Sequence, residues 1–203
     1  MNPPSTQELL DPVLKFQSVQ DSMDTLKRDH QKAIQDFKLR VQTLLEEIRP
    51  HDHLDLAKMA IASLEGDIIP NLSWVNSFLL DWVMPRLQEA IDNARIAMLE
   101  DHTNVEIFHI LGAALGTLRM DKDEYYFMFD CPYHSFFDKF DLSEVTEEVD
   151  KDLDENEAKE YEIQQKLKKL AESMWEIFVD GFEESSLNDL CYDIDDLQDL
   201  FVF

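Results

Sequence analysis

Three short clusters in this sequence hold residue types that could do chemistry. Glu106-Ile107-Phe108-His109 sets a glutamate and a histidine three apart, which is half of a di-iron carboxylate site in a helical bundle. The full site needs a second Glu-x-x-His and two further glutamates, and no second Glu-x-x-His exists in the chain. Cys131-Pro132-Tyr133-His134 has the spacing of two zinc ligands, but Cys191 and another histidine would have to complete the set from distant positions. His51-Asp52-His53 lacks further ligands, and Asp52 reads instead as the N-cap of a helix flanked by solvated histidines. Neither a metal nor any other cofactor is therefore expected.

Nucleophilic and phosphate-transfer chemistry fare no better. No Ser/His/Asp order, phosphate loop or dinucleotide fingerprint can be assembled. Carboxylates are so abundant that a pair of them says nothing about general acid–base catalysis. The expectation is a protein that is not an enzyme.

What remains is the carboxylates as a surface. The chain has 44 acidic and 18 basic residues, a net charge of −26 over 203 residues. Residues 1–120 carry 18 acids and 11 bases, net −7, whereas residues 121–203 carry 26 acids and 7 bases, net −19. Read along the chain, the protein is acidic at one end. Such a field repels nucleic acid and anionic membrane and attracts basic protein surfaces. A basic protein partner is expected, with no direct nucleic-acid contact and no membrane. The plainer role of the same charge is to keep the chain soluble and monomeric.

The elements that must position these residues are helical. With 4 Gly and 7 Pro the chain is poor in turn formers, and with 44% hydrophobic residues, 13 Phe and 3 Trp it can build a core. The fold class expected is all-α: a mainly helical bundle with a long N-terminal amphipathic helix. Ser5 with Glu8 resembles a capping box at its start, and Pro12 is expected to interrupt it. Val19, Met23, Leu26, His30, Ala33 and Phe37, then Val41, Leu44 and Ile48, form a coiled-coil-like seam. This 19–48 seam could pair within the chain or with a second copy as a dimer. His30 on the seam is expected as a packing residue. Lys27, Arg28, Lys32, Lys38 and Arg40 lie between the seam positions, either as a solvated face or as a counter-surface for the acids.

Arg49-Pro50 ends that helix. Gly66 is expected to close the next one, 67–70 to turn, and Ser73 to cap a third. The aromatic-rich face of 74–83 is the expected middle of the core. The stretch 105–119, apolar nearly all round, is expected to be central, with Gly112 and Gly116 admitting a close neighbour. The aromatic run 125–129 has strand propensity and is read as a short strand or an extended segment. Residues 1–120 form a helical body, 121–142 an aromatic-rich connection, and 143–203 an acidic helical region packed on the body as one domain.

Within that region, 144–157 reads as a linker or a loosely packed helix, and a regular helix resumes at Ala158. Gly181 is expected to stop it, and Ser185 or Ser186 to cap the last helix. There Leu187, Leu190, Ile194, Leu197, Leu200 and Phe201 form one stripe, set against Asp189, Asp193, Asp195, Asp196 and Asp199. The stripe is expected to dock on the chain itself and hold the aspartates out as a negative ridge. These five, with Glu183, Glu184, Asp150, Asp152 and Asp154, are the candidate partner-binding residues.

The function expected is inhibition of a basic nucleic-acid-binding, toxin or defence protein, the carboxylates standing in for phosphates. The alternative is a regulatory or scaffold protein whose last helix enters a partner's hydrophobic groove. Two cysteines and an N-terminus without a basic and apolar leader point to an intracellular protein, cytoplasmic or nuclear.

Overall fold

The computed structural model describes residues 6–100, 102–146 and 153–202, and at 6–10, 183 and 184 the backbone alone. The fold is all-α. In order come α1 (Thr6–Ile48), a 3-10 turn (Arg49–His51), α2 (Asp55–Ser63), a π-helical stretch (Leu64–Ile68), α3 (Ile69–Ser77), a second π stretch (Phe78–Val83) and α4 (Met84–Leu99). Then follow α5 (Asn104–Lys139), a 3-10 turn (Leu142–Glu144), α6 (Glu155–Trp175), a third π stretch (Glu176–Leu187) and α7 (Asn188–Asp199).

Prolines and glycines commonly break helices, yet most of those here do not, and the reasons are local. A proline inside a helix lacks its N–H and its ring crowds the carbonyl four residues back. For Pro70 and Pro85 that carbonyl belongs to Gly66 and Asp81, each inside a π stretch, where the α-helical bond to that carbonyl is not required. For Pro132, inside α5, the carbonyl is that of Met128, which accepts a hydrogen bond from Asn71 Nδ2 at 3.0 Å. Pro12 lies inside α1 near its start. Gly66 and Gly181 sit within π stretches, so the helices run through them and 67–70 is no turn.

Other boundaries differ as well. Leu54, in extended backbone, takes the N-cap place foreseen for Asp52. Ser73 lies inside α3 and donates to the carbonyl of Ile69. Helix α7 continues the π stretch before it, with Leu187 rather than a serine at its boundary. The capping box expected at Ser5 lies outside the described residues.

No strand occurs among the described residues. The run 125–129 is part of α5, because its burial follows the helical period: Tyr125 and Phe129, four apart, are buried while Phe127 between them is 59% exposed. The 74–83 face is likewise corrected. Leu72, Val75, Leu79 and Val83 are buried, whereas Trp74 and Trp82 are 72% and 59% exposed. The π stretch Phe78–Val83 widens the repeat to steps of four and turns Trp82 out of the core. In α5, Ile107, Leu111, Ala114, Leu115 and Leu118 are buried while Val105, Ala113 and Gly116 face outward, so that helix is buried along one face only.

The chain divides into two compact units. One comprises Met1–His30, Ser77–Tyr125 and Phe182–Phe203; the other comprises Gln31–Asn76 and Tyr126–Gly181. Each is assembled from four helical segments. In the first, α7 runs antiparallel to α1: Ser22 meets Asp193, Lys15 meets Asp196, and Phe16 meets Phe201. Its core holds Val19, Met23, Leu26, Leu87, Ile91, Leu111 and Ile194. In the second, α6 runs antiparallel to α1, with Lys166 on Glu47, Arg40 on Ser173 and Phe37 on Phe178. Val41, Leu45, Leu64, Leu72, Leu167 and Met174 fill that core.

The 19–48 seam is thus buried within the chain. Ile34, 1% exposed, takes the place expected for Ala33, since four residues from His30 fit a helical turn as well as three do. The charge is also distributed otherwise than along the sequence. The first unit has 21 acids and 7 bases, net −14; the second has 23 and 11, net −12. Each unit draws on both the acid-poor and the acid-rich part of the chain.

Candidate functional site

The last helix is built by its spacing. Leu187, Leu190, Ile194, Leu197 and Phe201 recur at three and four, and each is at most 4% exposed. The opposite positions, Asp189, Tyr192, Asp193, Asp196 and Asp199, are exposed or half-exposed and lie on one outward face. Leu200, expected on the stripe, is 43% exposed and joins this face, because Phe201, four residues from Leu197, takes the buried place. At 1.5 Å of rise per residue the four aspartates of that face climb in steps of about 6, 4.5 and 4.5 Å. This ladder is coarser than the roughly 3.4 Å rise per phosphate along one nucleic-acid strand. Asp195, on the flank, narrows one gap.

The helix is clamped from both sides. Ser22 Oγ donates to Asp193 Oδ2 at 2.6 Å and Lys15 Nζ to Asp196 Oδ2 at 2.9 Å. On the α5 side, Arg119 Nη2 lies 3.5 Å from Asp195 Oδ2 and Lys122 Nζ donates to Asn188 Oδ1 at 2.9 Å. Gln198 Nε2 donates to the carbonyl of Phe108 at 3.1 Å. It crosses α5 over Gly112, where an added Cβ would come within 2.5 Å of that nitrogen. Gly112 therefore admits the close approach expected of it, whereas nothing lies within 4 Å of a Cβ at Gly116.

Of the basic residues between the seam positions, Lys27 pairs with Asp24 and Arg28 with Asp29 on their own helix, while Lys38 reaches Ser73 and Arg40 reaches Ser173. Lys15, Ser22 and Arg119 hold the aspartates. Of the candidate carboxylates, Asp193, Asp195 and Asp196 are thus partly engaged within the chain, while Asp189 and Asp199 stand exposed.

Asp154 belongs to the second unit and caps α6. Its Oδ1 accepts from the backbone N–H of Asn156 and Glu157 at 2.8 and 2.9 Å, while Glu157 Oε2 accepts from the backbone N–H of Asp154 at 3.0 Å. This capping box starts the helix at Glu155, ahead of the regular stretch expected from Ala158. Asp150 and Asp152 lie outside the described residues, as do the side chains of Glu183 and Glu184. The residue not foreseen is Tyr192, 69% exposed in the middle of the acidic face. Its spacing from Asp189 and Asp196, three before and four after, was the available signal.

Set against known proteins, the chain matches no family model, no curated protein and no solved structure. The site therefore rests on its own geometry.

The metal-like clusters are not drawn together. Glu106 bonds His102 Nδ1 at 2.8 Å, while exposed His109 meets the ring of Phe108. His134 lies 3.3 Å from Asp130, and Cys131 is exposed. Among the described residues no group of three or more His, Cys, Asp or Glu side chains could hold a metal ion. Burial pushes the Cys191 thiol up from its ordinary value, against the pull of Lys122 and Arg119, which suits a packing residue. Among the described residues no helix is long and apolar enough to cross a membrane.

Proposed function

We propose that this chain is a non-enzymatic acidic protein that binds and inhibits a basic nucleic-acid-binding, toxin or defence protein by occupying its cationic groove. One observation supports the reading. Asp189, Asp193, Asp196 and Asp199 stand in a row on the outward face of a helix whose apolar stripe is buried. A fixed row of carboxylates meets a cationic groove without first being ordered, which favours association. Its steps differ from those of phosphates, so the mimicry is of charge density rather than of register. The setting is intracellular, cytoplasmic or nuclear, where both cysteines stay reduced.

A partner with a hydrophobic groove would take Leu190, Ile194, Leu197 and Phe201. It would first have to pull α7 off the chain, which the clamps of Lys15, Ser22 and Gln198 oppose.

The test is affinity capture from the native cell with two baits, the wild-type chain and a variant carrying Asp189→Asn, Asp193→Asn, Asp196→Asn and Asp199→Asn. The expected result is a basic nucleic-acid-binding protein on the wild-type bait, released by DNA or RNA and by high salt, and at least tenfold depleted on the variant. Equal capture on both baits would sink the proposal.

A further inference from the structure

Apart from α7, one surface of the second unit carries side chains to which no role has yet been given. Tyr126, Asp130, Tyr133 and Phe137 recur at four, three and four along α5 and share one stripe. The ring of Trp175, at the end of α6, lies 6.0 Å from that of Tyr126 and 4.9 Å from that of Tyr133. Tyr133 is in turn 5.3 Å from Phe137. All four rings are half-buried, unlike Phe129 and Phe178, which stack at 4.4 Å in the core.

Carboxylates are set among these rings. Tyr126 donates its hydroxyl to Asp130 Oδ1 at 3.3 Å, and His134 Nε2 lies 3.3 Å from the same oxygen. Burial, and then the charge of Glu172, hold the Tyr133 phenol above its ordinary pKa. Glu176, exposed, follows Trp175 in the chain.

Aromatic faces beside carboxylates are the pair of groups that a guanidinium satisfies together, stacking its plane on a ring and donating to the acid. The first unit already shows this arrangement. Arg86 places its guanidinium carbon 4.9 Å from the centre of the Trp82 ring and donates to both oxygens of Asp121 at 2.9 and 3.0 Å. At Trp175 the ring neighbours are Tyr126, Tyr133 and His134, and among the described residues no lysine or arginine lies over it.

We propose that Tyr126, Asp130, Tyr133 and Trp175 form a docking surface for an arginine side chain of a basic partner protein. The inference rests on the basic-partner reading above and adds a chemical preference, arginine over lysine, because an ammonium is a compact hydrated point charge with no plane to stack. Nucleic-acid bases would also stack on these rings, but their phosphates would be repelled by Asp130, Glu172 and Glu176.

The experiment uses the full chain with Trp74→Phe and Trp82→Phe, which leaves Trp175 as its single tryptophan. Capped hexa-arginine and hexa-lysine peptides are titrated at low salt while Trp175 emission is followed. Hexa-arginine is expected to change the emission and to bind about five-fold more tightly than hexa-lysine. Asp130→Asn and Tyr133→Leu should bring that ratio close to one, and Tyr133→Phe, which keeps the ring and the fold, should preserve it. An absent emission change, or equal responses to the two peptides, overturns the proposal.

The four α7 aspartate-to-asparagine changes, added to the same protein, should leave the Trp175 response to hexa-arginine in place. Its loss there would locate the contact on α7 and overturn the inference. Its persistence, together with capture that ignores those changes, would overturn the α7 reading and leave this one standing.

Discussion

Two aromatic layers, one in each unit, are built from the same three sources and differ at two of their three positions. In the first unit His30 of α1 meets the rings of Tyr125 of α5 and Phe182 of the third π stretch, at 5.8 and 5.4 Å. In the second, Phe37 of α1, Phe129 of α5 and Phe178 of the same π stretch make a layer of phenylalanines, with Phe178 5.6 Å from Phe37 and 4.4 Å from Phe129. His30 and Tyr125 are joined by a 3.3 Å contact between Nδ1 and the hydroxyl. A layer of phenyl rings has nothing to titrate; one holding an imidazole is tied to pH. Burial pushes the His30 pKa down to about 4 from an ordinary 6.5.

The largest effect that would sharpen the contrast lies in the phenylalanine layer. Phe129→Ala should cost about 3–5 kcal/mol, since it removes a fully buried ring and leaves a cavity. Hydrogen exchange should show the loss in the amides of the second unit. A loss spread evenly over both units would break the comparison at its root.

Acid comes next. Between pH 6.5 and 4 the unfolded chain binds a proton at His30 that the folded chain refuses, so stability falls as pH falls through that window. The fall from 6.5 to about 4 corresponds to about 3 kcal/mol, fully lost below pH 4. Exchange in the first unit should therefore accelerate over this range relative to the second. In the double variant His30→Phe/Tyr125→Phe the extra acid sensitivity of the first unit should vanish; if it persists, another group carries it.

Tyr125→Phe alone should cost about 1 kcal/mol, the net worth of one hydrogen bond, as read from the denaturant midpoint at pH 7. The smallest effect concerns His102, exposed in the same unit. The hydrogen bond and charge of Glu106, aided by Glu100, raise its pKa, so its contribution favours folding at low pH and is lost as pH rises through the raised value. Glu106→Gln should bring the His102 titration, followed by NMR, back toward the ordinary value. The two histidines then move oppositely: one opposes folding in acid and the other favours it.

Much of this was legible in the sequence wherever a helical period ran uninterrupted. The seam from Val19 to Ile48, the stripe from Leu187 to Phe201 and the stop at Arg49-Pro50 follow from three-and-four spacing and from proline's effect on its predecessor. The π stretches were not legible. They change the repeat by one residue, and that is how Trp82 came to face water and how Pro70, Pro85 and Gly181 came to lie in continuous helix. The 125–129 run misled because aromatic composition favours a strand, while the period of its burial, which decides, is a tertiary property.

At the candidate site the acidic face could be read from the chain, but its clamps could not. Lys15, Ser22 and Gln198 are recognisable only once α7 lies against α1 and α5. The apparent acidity of one end came from counting along a chain that the fold divides almost evenly, net −14 and −12.

The bond from Asn71 to the carbonyl of Met128 makes the tolerance of one position depend on another. With proline at 132, that carbonyl loses its usual helical donor, and a side chain on α3 supplies one. Were residue 132 able to donate its own N–H, Asn71 would become replaceable. Were Asn71 lost first, the proline would become a liability. The order in which the two positions can change is therefore set: Pro132 must yield before Asn71 is free to vary.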